Sequence, residues 1–146
     1  MAEFEIDPRI LATTEPLCGL KLCDARLSAD ARWPWIVLSP RKPGARELEH
    51  LAPKDRAQLM EEIVVAGAAV RAIGAALGRP VEKLNVGALG NKTPQLHLHV
   101  IGRRTDDPAW PESVWGPGPS RAYRDDELAQ ARAAALNVLE GLKAPS

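Results

Sequence analysis

Two of the three histidines stand two residues apart, in Gln95-Leu96-His97-Leu98-His99-Val100-Ile101. Side chains of an extended segment alternate, so Gln95, His97 and His99 are expected on one face, with Leu96, Leu98 and Val100 on the other. Same-face neighbours on a strand lie about 6–7 Å apart. At that spacing two imidazoles can hold one phosphate group between them: one attacks, the other donates a hydrogen bond to an oxygen. An imidazole titrating near pH ~6.5 suits both tasks at neutral pH. The residues just before, Gly87-Ala88-Leu89-Gly90-Asn91-Lys92-Thr93, have the composition of an anion site. Gly87 and Gly90 let the backbone approach an anion, consecutive N–H groups can form a concavity, and Asn91, Lys92 and Thr93 add donors and charge. His-x-His is also a metal-ligand spacing. That reading needs a third ligand from His50, in a distant segment, or from carboxylates. The phosphate chemistry requires neither metal nor cofactor.

Asn85-x-Gly87, the glycine-containing loop and Gln-Leu-His-Leu-His-Val-Ile together resemble the signature of the histidine-triad (HIT) family, whose motif is His-φ-His-φ-His-φ-φ. The similarity runs through the Trp33-to-Pro40 segment and the helix opened by Pro53-Lys54-Asp55. It extends to the Trp110-to-Trp115 segment, where the likeness is to bacterial members. The resemblance implies an α+β fold, with an antiparallel sheet of about five strands, a long helix and a C-terminal helix, commonly paired into a homodimer. It implies that His97 attacks the α-phosphate of a nucleotide, a purine nucleotide by family expectation. The product is a nucleotidyl-histidine that water or another acceptor resolves. Dinucleoside polyphosphates and nucleoside phosphoramidates are substrates of that class. His99 is then expected to contact the phosphate and help the leaving group, Asn85, Gly90, Asn91 and Thr93 to hold phosphate, and Asp30 to contact the ribose.

Two positions depart from the pattern. Gln95 replaces the first histidine of the motif; glutamine donates and accepts hydrogen bonds but carries no charge near neutral pH. It is expected to orient the neighbouring ring and the phosphate, and it leaves open a nucleotide-binding module with little turnover. Trp35 stands where many members carry a further histidine.

These residues need a scaffold. Leu59, Ile63, Ala66, Val70, Ile73 and Leu77 recur at spacings of four and three, which predicts a helix from Pro53 with Glu61, Glu62 and Arg71 toward water. Gly78 and Pro80 close it. A helical region around Glu47 to Leu51 and a short turn at Pro8 to Leu11 are also expected. Extended segments are expected over Leu17–Leu27 (an edge with one wet face), Trp33–Leu38, Lys83–Val86 and Gln95–Ile101. Asp106 to Ser120 reads as irregular. A last helix runs from about Asp125 to Leu142, with Leu128, Ala131, Ala135, Leu139 and Leu142 along one side. Trp33, Trp35, Trp110 and Trp115 read first as packing groups, the last two able to cover the site or reach a partner subunit. Arg103-Arg104 is either a solvated exit from the strand or a polyphosphate contact, and His50 a surface residue.

At 146 residues, 45% hydrophobic and 26% charged, the chain reads as one globular domain. Residues 1–146 are expected to form a single HIT-like domain, with a core of about 15–105 and a Trp/Pro-rich segment and helix over 106–146. A formal net charge of zero gives no general pull toward nucleic acid or an anionic membrane. A nucleotide is therefore the expected partner, caught by local geometry. No apolar run approaches a membrane span, and the acidic start from Met1 to Asp7 is not a signal peptide. The cytoplasm is the expected compartment, where Cys18 and Cys23 stay reduced.

Overall fold

The computed structural model describes residues 3–116 and 118–142. A short helix, α1 (Pro8–Ala12), is capped by Asp7, whose carboxylate accepts the Arg9 N–H at 2.8 Å. There follow β1 (Thr14–Gly19), β2 (Cys23–Ser28), β3 (Trp35–Pro40) and a 3₁₀ turn at Leu48–His50. The long helix α2 (Pro53–Ala76) leads to β4 (Lys83–Gly87) and β5 (Leu98–Arg103), and α3 (Asp125–Leu139) ends in a 3₁₀ turn, Glu140–Leu142. All strand pairs are antiparallel, in the order β1-β2-β3-β5-β4. The α+β architecture expected from the sequence is the one found.

Register sorts the two faces of the sheet. Ile36 pairs with Val100 and Leu38 with Leu98, and these four join Leu27 and Leu96 in the main core beneath α2 and α3. Trp35 pairs with Ile101 and Val37 with His99, so these point the other way. There Trp33, Trp35, Val37 and Ile101 form a second cluster with Ile10 of α1 and Val114 of the C-terminal segment. The histidine face is thus walled by both ends of the chain.

The predicted stripe on α2 is observed: Leu59, Ala66, Val70 and Ile73 are buried, with Ile63 and Leu77 packed at its margins. Gly78, at φ +73°, closes the helix in the left-handed conformation that glycine adopts without a Cβ penalty. On α3, Ala131, Ala135 and Leu139 face the core.

Three local expectations are corrected. Leu17–Leu27 is not one edge segment but most of the β1–β2 hairpin, because the chain reverses at Leu20, whose N–H reaches the Cys23 carbonyl at 2.7 Å. That reversal explains the second correction. Glu62 does not face water; it is completely buried. Its carboxylate accepts the Leu22 N–H at 2.8 Å and the Cys23 N–H at 2.9 Å, with Gln58 donating at 2.8 Å. Glu62→Ala would orphan two backbone donors in the interior, so a loss of about 3 kcal/mol is expected. The urea midpoint checks it, and Glu62→Gln should recover part of the loss. Third, Arg103 is neither solvated nor open to a ligand. Its guanidinium is buried, donating to Asp107 at 2.8 and 3.1 Å and to Asn85 Oδ1 at 2.8 Å. Burial alone would raise the Asp107 carboxyl, but Arg103 and the N–H groups of Arg104 and Ala109 hold it well below the usual carboxylate range. This pair fastens the C-terminal segment to the end of β5. Arg104 pairs with Asp106 at 2.8 Å. Cys18 and Cys23 form no disulfide, and among the described residues no helix is long and apolar enough to cross a membrane.

Candidate active site

Regular pairing starts at Leu98, not Gln95, because the Leu96 N–H donates to Ala45 O at 3.0 Å instead of to a neighbouring strand. Leu96 nevertheless enters the main core beside Leu98, so the expected alternation survives. The rings of His97 and His99 lie together, centroids 4.9 Å apart and planes at 76°. They are 7% and 8% exposed, and each opens onto a different cavity.

Each ring is held at Nδ1. His97 Nδ1 lies 2.7 Å from the Gln95 carbonyl oxygen. A carbonyl can only accept, so Nδ1 carries the proton and Nε2 is left with the lone pair of the neutral ring. His99 is the reverse: Trp35 Nε1–H donates to its Nδ1 at 3.1 Å. The indole only donates, so the His99 proton sits on Nε2. Trp115 stands edge-on to both, its ring centroid 5.0 Å from His99 and 5.9 Å from Trp35.

Burial first, and then neighbouring His97, pushes the His99 imidazole down to about 4, against a hydrogen bond to the Leu89 backbone that raises it. Unfolded, the same ring takes its proton near pH ~6.5. The unfolded chain therefore binds more protons between these values. The stability from a neutral His99 is whole above pH ~6.5 and is lost as pH falls toward 4, on the order of 3 kcal/mol in all. ¹⁵N NMR should find the Nε2–H tautomer at pH 7 with no protonation above about pH 5. In Trp35→Phe the two tautomers should mix.

Gly90 backs the ring of His97. A Cβ there would lie 2.6 Å from Thr93 O and 3.1 Å from His97 Cε1. Gly90, Asn91, Gln95 and His97 line a cavity of about 610 Å³ whose far wall is Arg46, Glu47 and Glu49. Thr93 lies outside this lining, its carbonyl turned to Gly90. Asp30 lines a second cavity, of about 490 Å³, with Thr14, Trp35, His99 and Trp115. Burial alone would raise the Asp30 carboxyl, but Arg32, paired at 2.8 Å, and the N–H groups of Arg32 and Arg121 hold it below the ordinary range. Asn85 is not brought to His97: its Oδ1 is taken by Arg103, and it lines a third cavity of about 270 Å³ beside Val114 and Trp115. Gln95 commits its amide to the backbone of the N-terminal segment, accepting the Asp7 N–H at 2.9 Å and donating to Glu5 O at 2.7 Å. His50 is exposed and accepts the N–H groups of Arg46 and Glu47. Among the described residues no cluster of three or more His, Cys, Asp or Glu side chains is placed to hold a metal ion.

The family model of the HIT domain matches residues 12–106, which spans every strand and both histidines. The chain belongs to the histidine-triad family. Solved HIT proteins share its fold over nearly their whole length. That of Marinobacter aquaeolei VT8 is 38% identical, with 97% of this chain and 99% of that one covered and a TM-score of 0.87. That of Bradyrhizobium japonicum is 36% identical, covering 93% and 98%, also at 0.87. A third, from Sinorhizobium meliloti 1021, is 38% identical, covering 93% and 97%, at 0.84. Among curated protein sequences no significant match is found. HIT proteins are generally nucleotide-binding hydrolases or transferases.

Two contributors to this HIT site escaped the sequence. Arg46 carries no motif. The Trp35 indole reads as packing in the sequence, and only its bond to His99 reveals what it holds; Gln95 is expected at the site as an orienting group, and the structure adds its partners at Glu5 and Asp7.

Proposed function

We propose that this HIT protein is a cytoplasmic nucleotide hydrolase or nucleotidyl-transferase, acting at the α-phosphate of a nucleoside 5′-phosphate linkage through a covalent nucleotidyl-His97. One observation carries the reading: the two touching imidazoles are held in opposite tautomers, His97 with Nε2 as acceptor and His99 with Nε2 as donor. A nucleophile and a hydrogen-bond donor for the same phosphoryl group need that pairing. His97 Nε2 bonds to phosphorus while the bond to the leaving group breaks and its electron pair departs. His99 Nε2–H, turning from the Leu89 backbone carbonyl, stabilises the oxygen on which charge gathers. Water, or another acceptor, then bonds to phosphorus, the electron pair of the P–N bond returns to Nε2, and the acceptor's proton leaves to solvent.

The cavity holding Asp30, Trp35 and Trp115 suits a nucleoside, with Asp30 toward the ribose. The cavity with Gly90, Asn91 and Arg46 suits the phosphate and leaving group, with Thr93 shaping the loop. Asn85 serves by tying β4 to β5 through Arg103. A dinucleoside polyphosphate or nucleoside phosphoramidate, a purine one foremost, is the substrate class. The test is incubation with a labelled adenylyl donor and mass spectrometry of the trapped protein. An acid-labile adenylyl group on His97 is expected. AMP binding with neither adduct nor turnover would establish instead a nucleotide-binding module.

A homodimer belongs to the same proposal. β4 is an edge strand carrying Val86 at 50% exposure, and Met60 and Val64, one turn apart on α2, are 58% and 61% exposed. Exposed apolar side chains and an edge strand each favour a self-complementary partner. Met60→Glu with Val64→Glu should convert the dimer to monomer in sedimentation; an unchanged mass would remove this face from the interface.

A further inference from the structure

We infer that Gln95 is a positioning residue whose amide works through the N-terminal segment, so that residues Glu5 to Arg9 form part of the machinery that aims His97. The inference rests on the function proposed above for His97.

Gln95 has two connections. Its backbone carbonyl takes the His97 Nδ1–H at 2.7 Å, fixing which nitrogen faces the phosphate. Its side chain spends the Nε2–H donor and Oε1 acceptor on main chain some ninety residues away, at Glu5 O and Asp7 N. A group tied at both ends is not available to turn toward a ligand without breaking hydrogen bonds, each worth about tenfold in an equilibrium constant. The segment it grips is itself anchored. Ile6 packs on the second core cluster and Ile10 is buried in it. A further tie runs from Arg9, whose guanidinium donates to the Lys92 carbonyl and is held by Asp7 at 3.1 Å. The stretch from Lys92 to Gln95 is therefore clasped at both ends by the N-terminal segment, and it carries Thr93, whose carbonyl packs on Gly90, and Gly90 on His97. Displacement of the clasp would be felt at the ring.

The decisive experiment separates the amide from its anchor. Gln95→Met keeps the length and loses both bonds. Asp7→Pro deletes the N–H that Oε1 accepts, and its backbone φ of −54° suits proline. Asp7→Ala keeps that N–H and controls for loss of the carboxylate. In the ligand-free full chain, solvent exchange of the His97 Nδ1 proton is followed by NMR; with adenosine 5′-phosphoramidate as the probe, kcat and KM are measured. Gln95→Met and Asp7→Pro should each speed that exchange by about tenfold beyond Asp7→Ala and lower kcat by about tenfold with KM within about twofold. The double variant should be no worse than either single one. Loss of turnover in Gln95→Met that is as large in the Asp7→Pro background, with exchange unchanged, would overturn the inference and make Gln95 a direct substrate contact. Wild-type protein without turnover would defeat the catalytic reading alone, since proton exchange still decides whether the clasp holds the ring.

Discussion

His97→Ala is expected to abolish the covalent adduct and to cut turnover of an adenylyl donor by at least about 10³-fold, while AMP affinity changes only a few-fold. The expectation follows from geometry. The other ring of the pair offers no unshared nitrogen pair: Trp35 occupies His99 Nδ1, and His99 Nε2 bears a proton. Nor is the ring needed to hold the fold, since Leu96 and Leu98 on either side secure the segment in the core. Burst kinetics and mass spectrometry of the acid-sensitive adduct measure the loss; unfolding by urea verifies that the variant is folded. A His97→Ala protein that turns over at a tenth of the normal rate would show that the phosphoryl group never visits this nitrogen.

Gly90→Val is the second large effect. Its Cβ would have to lie 2.6 Å from the Thr93 carbonyl oxygen, a main-chain atom, and 3.1 Å from His97 Cε1. A flexible side chain could swing aside from such a clash, but a carbonyl in a short loop cannot do so without moving the loop. Displacing a nucleophile by about 1 Å costs on the order of 10²-fold in rate. We expect kcat to fall about that far with little change in thermal stability, because the loop lies outside both core clusters. Steady-state kinetics beside a melting curve test it. Equal activity would mean that the loop relaxes freely and does not set the ring.

What the sequence disclosed follows the range of the forces involved. The His97/His99 pair and the α2 stripe depend on periods of two and 3.6 residues, which are local properties, and both are present as read. Glu62 escaped because helical periodicity assigns a carboxylate to the wet face. Its burial depends on two N–H groups that only the β1–β2 reversal turns inward. That reversal was itself hidden, for Leu20-Lys21-Leu22 contains none of the glycine, asparagine or proline that usually signals a turn. The motif located Gln95 at the site, yet its partners Glu5 and Asp7 lie at the far end of the chain. The Arg103–Asp107 pair had the right spacing for mutual contact, but nothing in the local pattern shows that the end of the strand would be roofed over.

The two cavities beside the histidine pair share no lining residue, His97 opening to one and His99 to the other. Under the chemistry proposed above, a first product would depart through one mouth while the nucleoside stayed seated in the other. The incoming acceptor would then approach phosphorus from the side just vacated, giving inversion at each of two displacements and net retention of configuration. With an acceptor other than water, double-reciprocal plots should be parallel lines.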